Sequence, residues 1–262
     1  MTRATPASGI EIAYRFRPGF VGRWLLSQAL GRTRRLSYDA EHELAAITPA
    51  PRSEGEGHIP RSGPVILVMN HYERPGLRVW WPALVVSAAV WRVRQQEPPV
   101  CWMITDRFYR YRLGWLAAPD GLISWLLRRV ARAYGLIVVP RRLHESGARS
   151  HALLAAREQL RAADPRVVGL TPDAESGGRQ PGRAWRNAGA AVAALSAGSV
   201  PVLPVAVFED ADGALVARFG APSPFGPSRD GGDGGREQLA QELMARITSL
   251  LPSERAPTGR PL

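Results

Sequence analysis

Val65-Ile66-Leu67-Val68-Met69 is an unbroken run of five apolar residues, closed by the polar pair Asn70-His71. A run this short, rich in β-branched residues, reads as a strand buried on both faces. Similar runs lie downstream at 100–106, 136–139, 167–170, 200–208 and 214–219. Between them sit longer stretches with apolar residues at helical spacing, at 77–94, 122–134, 148–163 and 184–197. Gly135 falls where the second of these helices must end, and Gly198 reads as the C-cap of the last. Such alternation predicts an α/β fold with a mixed, largely parallel central sheet flanked by helices. Outward from this core, residues 1–63 read as an N-terminal arm with a candidate membrane-associated helix over 20–30 and a loop over 48–63. Residues 64–220 read as the α/β domain, and 221–262 as a linker with a terminal helix over 239–251 packed on the same domain. Gly231-Gly232-Asp233-Gly234-Gly235 is a linker by composition, since no strand feeds it.

With 262 residues, 45% of them hydrophobic, the chain is long and apolar enough to bury a large core. The single Cys101 excludes an internal disulfide and any multi-cysteine metal site. All 34 basic residues are arginine, which removes P-loop and Schiff-base chemistry, since both need a lysine. Their distribution is uneven: 21 arginines face 10 acidic residues up to position 142, against 13 and 13 beyond it. The whole excess of +11 therefore sits in the first half, which points to an anionic partner, either phosphate esters or an anionic membrane surface. Nucleic acid would suit the charge, but no nucleic-acid-binding motif is present. Residues 1–20 lack the compact apolar stretch of a signal peptide. The longest uncharged run, 187–208, is broken by Gly189, Gly198, Pro201 and Pro204 and reads as a helix turning into a strand, not a membrane span.

In open α/β sheets, functional groups gather at the carboxyl ends of strands. Four such ends carry polar or proline-marked segments: Asn70-His71-Tyr72-Glu73-Arg74, Pro140-Arg141-Arg142, Thr171-Pro172-Asp173-Ala174-Glu175, and the Pro204 region. A histidine near carboxylates can take a proton from a hydroxyl near neutral pH. Arginines at a neighbouring strand end can hold a phosphate with two parallel hydrogen bonds, although alone Arg141-Arg142 reads equally as a surface pair. Together these groups suit transfer to the hydroxyl of a phosphorylated acceptor.

At these residues the chain resembles the glycerolipid acyltransferases typified by lysophosphatidic acid acyltransferase. That family carries four ordered blocks, and about 65–219 is similar to them. Val65–His71 resembles the first, a strand followed by Asn-His. Gly135-Leu136-Ile137-Val138-Val139-Pro140-Arg141 resembles the second, Thr171-Pro172-Asp173-Ala174-Glu175 the third, and Val200-Pro201-Val202-Leu203-Pro204-Val205 the fourth. Asn-His-Tyr-x-Arg-Pro-Gly, as in 70–76, is similar to the opening of a divergent bacterial branch. The resemblance implies His71 as general base on the acceptor hydroxyl, which attacks the thioester of acyl-CoA or acyl-carrier protein as donor co-substrate. It implies a lysophospholipid or similar phosphorylated glycerol acceptor bound by Asn70, Arg141, Arg142, Asp173 and Glu175. It requires no metal and no bound cofactor, and it suits a peripheral protein on the cytoplasmic side of the membrane. The family's Asp four residues after the histidine, which orients the imidazole, is Gly76 here. Glu73 and Asp173 are then the two candidates to orient His71. A catalytically degenerate lipid-binding or scaffold protein is the alternative that Gly76 suggests.

Two further patterns bear on function. Trp80, Trp81, Trp91, Trp102, Trp115 and Trp125 fall within 46 residues, interleaved with arginines. They read either as core aromatics with arginine stems laid over them or as a lipid-facing surface. Ala174-Glu175-Ser176-Gly177-Gly178 looks like a hydrolase nucleophile turn, but every histidine precedes Ser176, and that fold needs its histidine after the serine.

Overall fold

The computed structural model describes residues 12–105, 112–113, 116–117, 120–139, 146–173, 188–196, 199–226 and 233–252. Its strands are β1 (Arg52–Glu54), β2 (Val65–Met69), β3 (Cys101–Thr105), β4 (Arg112–Leu113), β5 (Leu116–Ala117), β6 (Ile137–Val139), β7 (Val167–Leu170), β8 (Val202–Glu209) and β9 (Leu215–Phe219). Its helices are α1 (Pro18–Ala29), α2 (Leu36–Leu44), α3 (Trp80–Arg94), α4 (Asp120–Tyr134), α5 (Ser146–Arg161), α6 (Ala188–Ser196) and α7 (Asp233–Thr248). A seven-stranded sheet runs in the order β1-β9-β8-β2-β7-β3-β6, with β4 and β5 forming a separate ribbon. Five neighbouring strands, β8 to β6, are parallel; β9 returns antiparallel to β8, and β1 lies parallel to β9 at the edge. The fold is therefore α/β with a mixed, mostly parallel sheet.

The period of two along β2 decides the layering. Val65, Leu67 and Met69 point into one core, shared with Trp81, Val85 and Val86 of α3. Ile66 and Val68 point into the other, shared with Ala156 of α5, Val192 of α6 and Leu243 of α7. Gly189 lets α6 and α7 close on each other: a Cβ there would stand 2.5 Å from the Leu239 carbonyl carbon. Gly135, at φ +66°, follows the end of α4 in a left-handed conformation that glycine adopts without strain. The expected cap at Gly198 lies outside the described residues.

Several segments differ from the sequence reading, among them α2, which it lacked, and α7, which begins at Asp233 and takes in Asp233-Gly234-Gly235 of the expected linker. The loop expected over 48–63 contains β1, which pairs with β9, and a 3-10 turn at Glu56–His58, so the arm contributes an edge strand to the sheet. The helix expected from residue 77 starts at Trp80, because Arg74 and Leu77 exchange both backbone hydrogen bonds across Pro75-Gly76 (2.9 and 3.0 Å). Gly76 has φ +79°, the value a type II turn demands of its third residue after a proline. The tryptophan series divides. Trp81 and Trp102 are buried in the core, Trp125 is exposed, and Trp115 lies outside the described residues.

Candidate functional site

The carboxyl ends of β8, β2 and β7 stand side by side, since these strands are parallel neighbours. Asn70 extends the β2–β8 pairing past the strand end. Its amide nitrogen donates to the Val207 carbonyl at 2.8 Å, and its amide oxygen accepts from the Val207 N–H at 2.7 Å. The side chain thus imitates a peptide group, and it is buried. Asn70, expected at the substrate, is placed as a splint between strands.

His71 follows at once. Its backbone N–H donates to Oδ1 of Asp173 at 2.7 Å, across the gap to the end of β7. Asp173 is completely buried. The first and third family-like segments are therefore joined by a charge-assisted bond to the main chain of the histidine, not to its ring. The ring stands differently: Nδ1 is sealed from solvent with no hydrogen-bond partner. Neither carboxylate that the sequence offered orients the imidazole.

The reason for Glu73 is local. Its carboxylate accepts from the Val79 N–H at 3.0 Å and lies 4.0 Å from the Arg78 guanidinium. At the start of α3 it accepts from the N–H of Val79, the residue just before the helix, where the positive end of the helix stabilises an anion. The expectation that Glu73 serves His71 is thus replaced by a helix-capping role. Arg141, Arg142 and Glu175 lie outside the described residues; β6, which leads to the arginines, stands beyond β7 and β3 from β2.

Sequence reasoning passed over a second layer beneath His71. Glu209, at the end of β8, accepts from the Tyr72 hydroxyl at 2.9 Å and from Nε of Arg74 at 2.8 Å. It also pairs with Nη2 of Arg74. Arg74 donates further to the Ile12 carbonyl at 2.9 Å and the Pro75 carbonyl at 2.8 Å. The segment from Ile12 runs over this loop as a strap. Tyr14 donates its N–H to the Gly76 carbonyl at 2.8 Å, and Phe16 stacks on Trp81 and Phe20 at 4.6 and 4.9 Å. Burial pushes the Tyr14 hydroxyl up to about 12. The one sequence signal for this layer was an acidic residue, Glu209, at the end of a long apolar run.

Among the described residues, no group of three His, Cys, Asp or Glu side chains is arranged to hold a metal ion. No protein-family model and no curated protein matches the chain. Among solved structures, the chain is similar to the crystal structure of the 1-acyl-sn-glycerophosphate (LPA) acyltransferase from Thermotoga maritima, with a TM-score of 0.46 and 14% identity over 88% of each chain.

Proposed function

We propose that the protein is an acyltransferase that moves a fatty acyl group from acyl-CoA or acyl-carrier protein to the hydroxyl of a lysophospholipid or similar phosphorylated glycerol acceptor. The observation that carries this reading is the 2.7 Å bond from the His71 N–H to Asp173, which ties the Asn-His segment to the Thr-Pro-Asp segment at adjacent strand ends. These are the segments that resemble the family's first and third blocks. His71 acts as general base through Nε2. The acceptor O–H loses its proton to His71 as its oxygen attacks the thioester carbonyl, and the thiol leaves with that proton when the tetrahedral adduct collapses. Asp173 positions the histidine through its main chain, and Arg141 with Arg142 holds the acceptor phosphate. Glu175 lines the acceptor site, and the work is done on the cytoplasmic side of the membrane. No metal or bound cofactor takes part.

A second reading is favoured by one observation. An orphan N–H is rarer in protein interiors than an orphan acceptor. The sealed, unpartnered Nδ1 of His71 therefore favours the tautomer with its proton on Nε2, which presents a donor where a base needs a lone pair. On this reading the protein binds the lipid without turning it over.

Thiol release from a panel of acyl-CoAs with lysophosphatidate separates the two. The enzyme reading expects release that falls at least about 100-fold in His71→Ala and survives Asp173→Asn, which keeps an acceptor for the His71 N–H. Binding of lysophosphatidate without thiol release, from acyl-CoA or acyl-carrier protein, selects the second reading.

A further inference from the structure

The end of the sheet opposite His71 holds a cavity of about 190 Å³. It lies where the last turns of α5 and α6 meet the segments that lead into β2 and β8. Arg157 and Arg161, one turn apart on α5, line it together with Ser199. Among the described residues neither guanidinium makes a hydrogen bond or an ion pair, and Nε of Arg157 is sealed from solvent without a partner. No acidic residue among those described lines the cavity.

The stability of the fold does not account for this pair. Like charges four residues apart weaken a helix, and a sealed N–H without an acceptor costs further stability. The carboxyl end of a helix does attract cations, but it carries only about half a negative charge. The ends of α5 and α6 together supply about −1 against two arginines, which leaves an excess of about +1. A larger cavity of about 340 Å³ at the same end of the sheet is different. Arg61, Arg94 and Arg166 line it, but so do Glu97 and Asp164. Arg94 there already donates to the Pro60, Gly63 and Pro165 carbonyls at 3.0, 2.9 and 3.0 Å. The larger cavity brings its own counter-charges, and the smaller one does not.

We propose that the Arg157–Arg161 cavity is a phosphate-binding site, which takes inorganic phosphate or the phosphate end of a small monoester. A phosphate offers several acceptor oxygens to two guanidiniums and the Ser199 hydroxyl, and charge-assisted bonds of this kind are the strong ones. The volume equals that of about six waters at about 30 Å³ each, enough for a phosphate on a short stem. Pro64, Leu160, Leu195 and Val200 give that stem apolar walls. The site is separate from the acceptor pocket of the proposed reaction. Pro64 and His71 stand seven residues apart along β2, about 23 Å at about 3.3 Å per residue. A glycerol phosphate whose hydroxyl meets His71 cannot span that distance.

Isothermal titration calorimetry of the full chain in phosphate-free buffer tests this, with inorganic phosphate, n-butyl phosphate and acetate as probes. The titrations use Arg141→Gln with Arg142→Gln, which removes the proposed holders of the acceptor phosphate. The expected result is one saturable site for a phosphate probe, with acetate, which has only two oxygens, at least about tenfold weaker. Tighter binding of butyl phosphate assigns the site to a monoester; equal or weaker binding assigns it to free phosphate. Adding Arg161→Gln, at an exposed position, weakens the phosphate probe at least about tenfold. Arg157→Met gives an independent check, since an apolar side chain of similar length removes the uncompensated charge. Its urea midpoint rises without phosphate and no longer responds when phosphate is added. No saturable phosphate binding, binding that survives Arg157→Gln with Arg161→Gln, acetate as tight as phosphate, or a midpoint that falls in Arg157→Met overturns the proposal. The readout involves neither a thioester nor His71, so its failure leaves the acyltransfer reading standing, and the converse also holds.

Discussion

The loop after β2 and helix α1 break the same rule in opposite senses. The loop and the strand ends beside it bury Arg74, Glu209 and Asp173, charges that ordinarily face water, whereas α1 exposes leucines that ordinarily do not. The buried charges answer one another within the chain. Arg74 meets Glu209, Glu209 meets Tyr72, and Asp173 meets the His71 N–H. The exposed leucines of α1 have no such answer among the described residues.

The sharpest way to break this contrast is to remove one member of the buried pair. Glu209→Ala leaves Arg74 buried without its counter-charge and is expected to cost about 3–5 kcal/mol in urea unfolding. Replacing both by apolar residues, Arg74→Met with Glu209→Leu, is expected to recover much of that. Alkaline pH attacks the same interior. Burial raises the Cys101 thiol from 9.0 to about 11. The unfolded chain therefore loses that proton first and binds fewer protons than the folded one. Stability falls as pH rises from 9 to 11, by up to about 1.4 kcal/mol per unit, readable in urea midpoints of wild type against Cys101→Ala. Asp173→Ala orphans the His71 N–H and is expected to cost about 1–3 kcal/mol, while Asp173→Asn keeps most of it. Gly76→Asp, which would restore the family's carboxylate on paper, meets φ +79° and is expected to cost about 1 kcal/mol with no gain in thiol release. At the far end, Leu25→Ser is expected to shift unfolding by less than about 0.5 kcal/mol. A large loss there would mean that α1 is built into the core after all.

The sheet was legible where strands are apolar on both faces, because 65–69, 167–170 and 202–209 can be nothing else at that length. β1 was not, since Arg52-Ser53-Glu54 contains no apolar residue: an edge strand needs only its backbone to pair. α2 escaped for a related reason, as Leu36–Leu44 mixes four charged or histidine side chains into nine residues and rests on α3 for its stability. At the candidate site the sequence marked Asn70, His71 and Asp173 but assigned their contacts to a ligand or a ring. The structure turns Asn70 onto a peptide group and Asp173 onto another, because the ends of buried strands leave backbone donors that must be met from somewhere. Glu209 stayed hidden since its partner Arg74 is 135 residues away, and spacing says nothing about side chains brought together only by strand order.

The place of β2 in that order also has consequences during synthesis. β2 is the first of the five parallel strands to leave the ribosome, yet both neighbours come late. His71 reaches its bond to Asp173 across 102 residues, and Asn70 reaches Val207 across 137. Until then a strand of five aliphatic residues waits with two unpaired edges, the state in which β-segments find wrong partners. Nascent chains shorter than about residue 209 lack the centre of their own sheet and are expected to depend on chaperones. The long loops to be closed also make this a slow folder for its size.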